Sequence, residues 1–437
     1  MPPGLDLIRE YAKEHNIDLG AACDLLNYKD SSGKTNCLFL EGNLYGTQLA
    51  GRAFWEHARS WLVNTLGFKE ATGDPCIFSK EMDDGSFIIV GLYVDDCLIA
   101  TNRPSTREWF GEEFEKEFKQ SPDSDGDTYL GIQYKQYDLG DYKYITLNTP
   151  RIWEKVQEKI TGLKIKLPKV ATPLPLNAME LVYADPDDVT NPLVPESEIN
   201  VREILGMISW GVHAVRPGEA FATSLIARRA HLPTRSLVVV LLHLTSYLLI
   251  HAGDMLHIVG DGERIFTTAC DSSFANDQGT NGTGRSWFGF ALIWGGIAFH
   301  FRSKLQPYVA PSTRDAEAGA LVFCVKAMIG TLVMLEELGF LPEGVTPLRL
   351  ECDSQAAIAS MTTEWIHKDS RWNAIRIRFL REFVREMLIK PFYMDTALMR
   401  ADPLTKAHRL RAHMKPDAEP SWAPCLLLTL SKTHGGV

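Results

Sequence analysis

"RIFTTACDSSFA", residues 264–275, places a run of apolar and β-favouring side chains directly before a carboxylate, Asp271. Two further runs, "WFGFALIWGG" (287–296) and "IAFHFRSK" (297–304), read as the next two strands, joined at Gly295 and Gly296. The periodicity then changes. A long helical pattern covers 313–338, a strand "PLRLECDS" follows at 347–354, another helix lies near 354–361, and a basic helix spans 371–388. Strands first and alternation afterwards predict a mixed sheet flanked by helices.

Single acids in this half stand where strands or helices begin or end: Asp271 after "TTAC", Glu317 inside "STRDAEAGAL", Asp353 after "LEC" and Asp402 in "ADPLTK". One such carboxylate is ordinarily a solvated cap. Four that converge supply what a pair of divalent ions requires, with the ions activating a water and stabilising the departing oxygen of a phosphodiester. The first half raises a related question. "FIIVGLYVDDCLIATN" (87–102) interrupts an apolar run with Asp95 and Asp96, a doubled charge that is costly to desolvate. Either the pair turns a hairpin into water or it holds a metal.

Around these stretches the chain reads as α+β. Residues 1–36 suggest one short helix and a polar turn, and "RAFWEHARSWLVNTLGF" (52–68) has the spacing of an amphipathic helix. Residues 76–102 alternate like two hairpins, with Asp84-Gly85 as a turn signal. A charged helix (105–120), a loop and a strand-like "TYLGIQYKQ" (128–136) come next. Residues 166–198 are dense in proline and acid and predict a connector rather than a packed element. Two or three helices are expected over 201–252, and no clear structure after 408.

The 437 residues are enough for two or three domains, each with its own core. None of the eight cysteines falls in a C-x-x-C pair, so reduced thiols in an intracellular protein are expected and zinc is not. The N-terminus lacks the basic start and apolar core of a secretory signal, and the apolar run at 236–253 is broken by His243, Thr245 and Ser246. No membrane partner is expected. A net charge of −10 argues against a generic nucleic-acid coat. The charge is uneven, however: 81–128 hold 13 acids against 4 Lys or Arg, whereas 364–412 hold 11 Lys or Arg against 6 acids, and 151–170 hold 6 against 2. Basic faces brought together by folding can still hold a polyanion.

In family order, "LYGTQLAGRAF", "DPCIF", "YVDD", "YLGIQ", "VATPL" and "REILGMISWGVHAVRPGEAFATSLIARRAHLPT" precede "CDSSFA", "STRDAEAGAL", "ECDSQAAI" and "RADPLTK". From about 37 to about 407 the chain resembles the reverse transcriptase and ribonuclease H portion of a copia-type LTR retrotransposon Pol polyprotein. The resemblance implies an N-terminal leader (1–36), a partial reverse-transcriptase palm with the start of a thumb (37–165), a linker and helical connection (166–262), an α/β ribonuclease H-like domain (263–407) and a tail (408–437). It implies Mg²⁺ or Mn²⁺ as cofactor, RNA–DNA hybrid and template-primer as partners, and a location in a cytoplasmic particle or the nucleus.

By the same resemblance, Asp271, Glu317, Asp353 and Asp402 match the nuclease metal ligands, with Asp271 bridging both ions, Glu317 and Asp353 on one and Asp402 on the other. Asp95 and Asp96 match two of the three polymerase carboxylates. Tyr45, Gly46 and Arg52 fit the nucleotide-side motif, where Gln48, Leu49 and Gly51 replace the family's Lys, Gln and Pro. The family's first polymerase aspartate, in a strand reading roughly L-D-V-K-T-A-F, has no counterpart, because Asp6 is followed by helical sequence. Primer extension by this chain alone is therefore not expected. Trp372 and Ala374 stand where the family has a histidine and an aspartate, while Arg376, Arg378, Arg381 and Arg385 are spaced to share part of a helix face toward the substrate backbone. The implied function is a ribonuclease H with an incomplete polymerase; the alternative is a catalytically silent nucleic-acid-binding or scaffold protein of the same descent.

Overall fold

The computed structural model describes residues 48–94, 96–118, 127–138, 143–260, 266–278, 282–294, 297–341, 347–365 and 368–407. The expected leader helix and tail lie outside them. The chain divides into two compact units, Met1–Lys69 with Leu92–Asp95, and Glu70–Gly91 with Asp96–Val437. In the first, the expected amphipathic helix forms as α1 (Gln48–Ser60) and runs into a π-turn, Trp61–Thr65. Ala58, Trp61, Leu62, Leu66 and Phe68 are buried.

A hairpin of β1 (Ile77–Glu81) and β2 (Phe87–Tyr93) comes next, and β2 is also hydrogen-bonded to β3 (Asp96–Thr101). The Asp84-Gly85 signal is the turn: Gly85 takes φ +75°, a left-handed value open to glycine, and the Asp84 carboxylate accepts the Ser86 amide at 2.9 Å. Helix α2 (Pro104–Glu117) follows.

A second sheet orders β4 (Thr128–Tyr129), β5 (Ile132–Asp138), β6 (Lys143–Asn148) and β7 (Leu256–Gly260). Between β6 and β7 lie α3 (Pro150–Gly162), α4 (Ala178–Val182), α5 (Val201–Val215), α6 (Ala220–Ala227) and α7 (Arg235–Ile250). The segment expected to be an unpacked connector is packed. Leu174, Ala178, Val182, Tyr183 and Val194 join one apolar core with α3, α5, α6 and α7. Burying these side chains contributes about 1.5–3 kcal/mol for each large aliphatic, enough to order a proline-rich path that has no helical or strand period of its own.

The strands read from 264–304 form as β8 (Phe266–Ser273), β9 (Trp287–Trp294) and β10 (Ile297–Leu305). They join β11 (Leu348–Cys352) and β12 (Ile389–Tyr393) in the order β10-β9-β8-β11-β12. β10, β9 and β8 are antiparallel neighbours, and β8, β11 and β12 are parallel. On one face Phe266, Cys270, Phe288, Phe290 and Leu292 meet α8 (Thr313–Glu337), α9 (Gln355–Thr362) and α10 (Ala374–Arg385). On the other, Ala269, Trp287, Ala291 and Ile293 belong to the same core as α5, α6 and α7. The mixed sheet is thus covered on both faces, and one cover comes from the helical segment before it.

Among the described residues, α8 is the helix long and apolar enough to cross a membrane, rather than the 236–253 run. Its apolar side chains, Leu321, Val325 and Met328 among them, pack on the sheet. Ser312 caps it, accepting the Asp315 amide and donating 2.6 Å to the Asp315 carboxylate. Ser312→Ala is expected to cost about 1 kcal/mol, read as a lower urea midpoint at unchanged m; an unchanged midpoint would show that the cap is dispensable.

Candidate metal centre

Parallel strands deliver their C-terminal ends to one edge of a sheet, and both Asp271 on β8 and Asp353 just after β11 lie at that edge. The N-cap at Ser312 starts α8 so that Glu317 comes one turn in; its carboxylate takes the Ser272 backbone N–H from the neighbouring strand. A one-turn 3₁₀ helix, Asp402–Leu404, seats the fourth acid. That turn lies against β9 because Gly289, the cross-strand partner of Asp271, has no side chain to hold it off.

Asp271, Glu317, Asp353 and Asp402 lie near enough to act on one another's charge. Asp271 is 1 % exposed and Glu317 3 %. Glu317, Asp353 and the Cys352 thiol place ligand atoms within 4.8 Å of one another. Lys406 lies 3.4 Å from the Asp271 carboxylate and 2.7 Å from that of Asp402. The Thr405 hydroxyl donates to Asp271, and the Thr396 hydroxyl donates to Asp353 at 2.8 Å.

Burial, the Asp402 charge and the Asp353 charge push the Asp271 carboxyl above its ordinary range, against the pull of Lys406 and Thr405. Burial followed by Asp271 and Asp353 pushes Glu317 well above its own. Lys406 is held up: burial works against its charge, but Asp271 and Asp402 more than offset it. One Glu317 oxygen, Oε2, is buried with no hydrogen-bond partner. An uncompensated buried carboxylate oxygen facing two more acids is unfavourable in apo form and suits a hard dication, which takes oxygen ligands. The donor set therefore fits Mg²⁺ or Mn²⁺.

The remaining expected residues are distributed differently. Asp96 is exposed on β3, and Arg52 is exposed on α1, paired with Glu56 at 2.7 Å and stacked over Trp55 at 4.4 Å. Asp95, Tyr45 and Gly46 lie outside the described residues. The four arginines of α10 do not share one face toward a substrate. Arg376 and Arg378 are two residues apart, about 200° around the helix; Arg376 stacks over Tyr308 at 3.9 Å and bonds Asn373, while Arg378 is exposed elsewhere. Arg381 is spent on the Ser360, Glu364 and Trp365 carbonyls, tying down the end of α9. Trp372 contacts Tyr308 edge to face, and Ala374 merely opens α10.

Sequence reasoning passed over Thr405, Lys406, Cys352 and Gly289. Lys406 had a signal, its i, i+4 spacing from Asp402 inside "ADPLTK"; Cys352 had another, its place beside Asp353. Gly289 had none, since the close approach it permits is made by a turn 115 positions later.

Residues 27–161 match the family model described as reverse transcriptase (RNA-dependent DNA polymerase). The Pol polyprotein of transposon TNT 1-94 from Nicotiana tabacum is 26% identical over 372 residues, 84% of this chain and 27% of that protein. That of transposon RE1 from Arabidopsis thaliana is 24% identical over 83% of the chain and 23% of its own length. The transposon TyH3 Gag-Pol polyprotein from Saccharomyces cerevisiae is 20% identical over 84% and 21% respectively. The chain thus spans about a quarter of the curated relatives it matches. Among solved structures, the N-terminal RNase H domain of Rv2228c from Mycobacterium tuberculosis (12% identity, TM-score 0.24) covers 33% of the chain and 91% of itself. RNase H1 from Halobacterium salinarum (19%, TM-score 0.22) covers 32% and 93%. With a reverse-transcriptase match over residues 27–161 and Pol relatives aligned along more than four fifths of its length, the chain is similar to a segment of copia-type retrotransposon Pol polyproteins.

Proposed function

We propose that this chain hydrolyses the RNA strand of RNA–DNA hybrids in a divalent-metal-dependent reaction, and that its polymerase portion does not extend primers unaided. The observation that carries the reading is the meeting of Asp271, Glu317, Asp353 and Asp402 at one sheet edge around a buried, unpartnered Glu317 oxygen. Asp271, Glu317 and Asp353 would hold one ion, and Asp271 with Asp402 a second. Bound there, Mg²⁺ or Mn²⁺ supplies Lewis acidity and a water of lowered pKa.

The chain's own residues fix the ligands. Thr405 orients Asp271 and Thr396 orients Asp353, so each carboxylate presents its remaining lone pairs to the site. Lys406 neutralises part of the acid charge and keeps Asp271 and Asp402 from repelling each other apart. In the polymerase portion, Asp95 and Asp96 alone give too few ligands for a metal pair, and none of the acids ahead of them stands in a strand like the family's L-D-V-K-T-A-F.

A second reading, a silent nucleic-acid-binding or scaffold protein, is favoured by Lys406 itself, an internal cation that already satisfies two of the acids. One assay separates the two. The purified chain, given end-labelled RNA–DNA hybrid and separately a primed RNA template with nucleotides, is expected to cut the hybrid in Mg²⁺ or Mn²⁺, to stop with chelator, and to leave the primer unextended. A folded chain that leaves the hybrid intact in either metal would establish the silent reading, and robust extension would refute the incomplete polymerase.

A further inference from the structure

The set that fits Mg²⁺ is all oxygen, yet the acid cluster has a thiol in its wall. Cys352 ends β11, is fully buried, and its Sγ lies with the Glu317 and Asp353 carboxylates inside a 4.8 Å triad. The Ser354 amide donates to this sulfur at 3.4 Å, which fixes its direction. Glu317 is 3 % exposed with Oε2 unpartnered, and half-buried Asp353 leaves the triad an opening to solvent.

We propose that this triad is a binding site for a thiophilic divalent cation, Zn²⁺ or Cd²⁺, held by the Cys352 thiolate and the Glu317 and Asp353 carboxylates in competition with the hard ion. Mixed sulfur and oxygen donors favour such a cation over Mg²⁺, because a soft ligand is used by borderline metals and ignored by hard ones. Ligand atoms on one ion, with bonds of about 2.0–2.3 Å, stand about 3–4 Å apart, so the triad closes by side-chain adjustments of about 1 Å. Binding exchanges one bond for another: the S–H proton leaves to solvent as the metal–sulfur bond forms, with no change of oxidation state. Burial first and then Glu317 push the free thiol upward; a bound dication reverses the sign of that field, since a coordinating thiol is deprotonated outright. Resting on the proposed hydrolysis, the consequence is regulatory: a soft cation here takes two carboxylates from the catalytic set and silences cutting.

The test reads binding directly, without substrate, and so stands apart from the hydrolysis assay. The metal-free full chain is titrated with Cd²⁺ while the ultraviolet thiolate-to-cadmium absorbance is followed. One saturating phase is expected to disappear in Cys352→Ser, with affinity for that ion down at least about 100-fold, the upper end of what even a second-shell loss does. The same phase should shift to higher Cd²⁺ when Mg²⁺ is in excess. Cadmium X-ray absorption on the unmodified chain gives a readout that needs no variant, and one sulfur with oxygens is expected in the first shell. A shell of two or more sulfurs would mean that the neighbouring buried thiols Cys270 and Cys324 take the ion, and would overturn the assignment. Persistence of the phase in Cys352→Ser, or indifference to Mg²⁺, would do the same.

Discussion

Asp271→Asn is expected to lower metal-dependent hybrid cleavage by at least about 10³-fold and, in chelator at neutral pH, to raise the thermal midpoint of the protein. The rate term follows from its place. Asp271 is the acid that contacts both Lys406 and Thr405 and faces Glu317, Asp353 and Asp402, so it is the ligand that would be common to both ions. A metal's share of transition-state charge stabilisation is several kcal/mol, and each step of about 1.36 kcal/mol is a decade in rate.

The stability term has the opposite sign. A carboxyl held above its ordinary range stabilises the fold only at acid pH, where it is protonated, and that contribution is lost as pH rises through its folded value. At neutral pH the buried charge therefore costs stability, and an amide of the same shape removes that cost. The amide also gives up the ion pair with Lys406, whose side chain is 42% exposed, so solvent already screens that attraction. The net gain is about 1–2 kcal/mol by the usual scale of buried polar groups. Melting curves with chelator, set beside hybrid assays on the same preparations, check both halves. A variant that cuts at the wild-type rate removes Asp271 from the metal set; one that melts earlier shows that the carboxylate is a net stabilising group in the fold.

Much of the C-terminal half was legible because its signals are local. β9 carries a continuous apolar run, β8 and β10 open on apolar and β-favouring residues, and Asp271 and Asp353 mark strand ends, which a parallel pairing must bring to one edge. Glu317 lies near the start of a helical pattern that the sequence places at 313–338. The failures share a cause as well. Residues 166–198 look like linker since proline and acid deny them a period, yet Leu174, Val182, Tyr183 and Val194 are buried in one core with helices that come later in the chain. The short strand Leu256–Gly260 completes a sheet begun more than a hundred residues earlier, and five residues carry too little pattern to announce that pairing. Arg376 and Arg378 look equivalent in a basic stretch; helix geometry separates them, and an aromatic, Tyr308, claims one. Local periodicity reports elements and their ends, whereas which element covers which face is decided by shape.

Gly289→Ala tests that distinction at the site itself, with an expected loss of about 10²-fold in cleavage and about 1–3 kcal/mol in stability. A Cβ at Gly289 would stand 2.4 Å from Leu404 Cβ and 3.0 Å from the Leu404 carbonyl carbon, and neither neighbour is the far end of a flexible chain. β9 cannot yield, because it is held on both sides by β8 and β10 and is buried along most of its length. The turn Asp402–Leu404 must yield, lifting by about 1 Å and taking Asp402, Thr405 and Lys406 with it. Overpacking of this kind costs about 1–3 kcal/mol, and a 1 Å misplacement of a catalytic group costs about 10² in rate. Thr405 and Lys406 would then bond Asp271 less well, so the Mg²⁺ concentration for half-maximal cutting should rise together with the fall in maximal rate. Urea unfolding of the variant, run beside a Mg²⁺ titration of hybrid cleavage, separates a loosened fold from a displaced ligand. A variant with normal Mg²⁺ dependence and unchanged midpoint would show that the fourth acid does not depend on this close approach, and that Asp402 reaches the cluster by some route other than the bare backbone of β9.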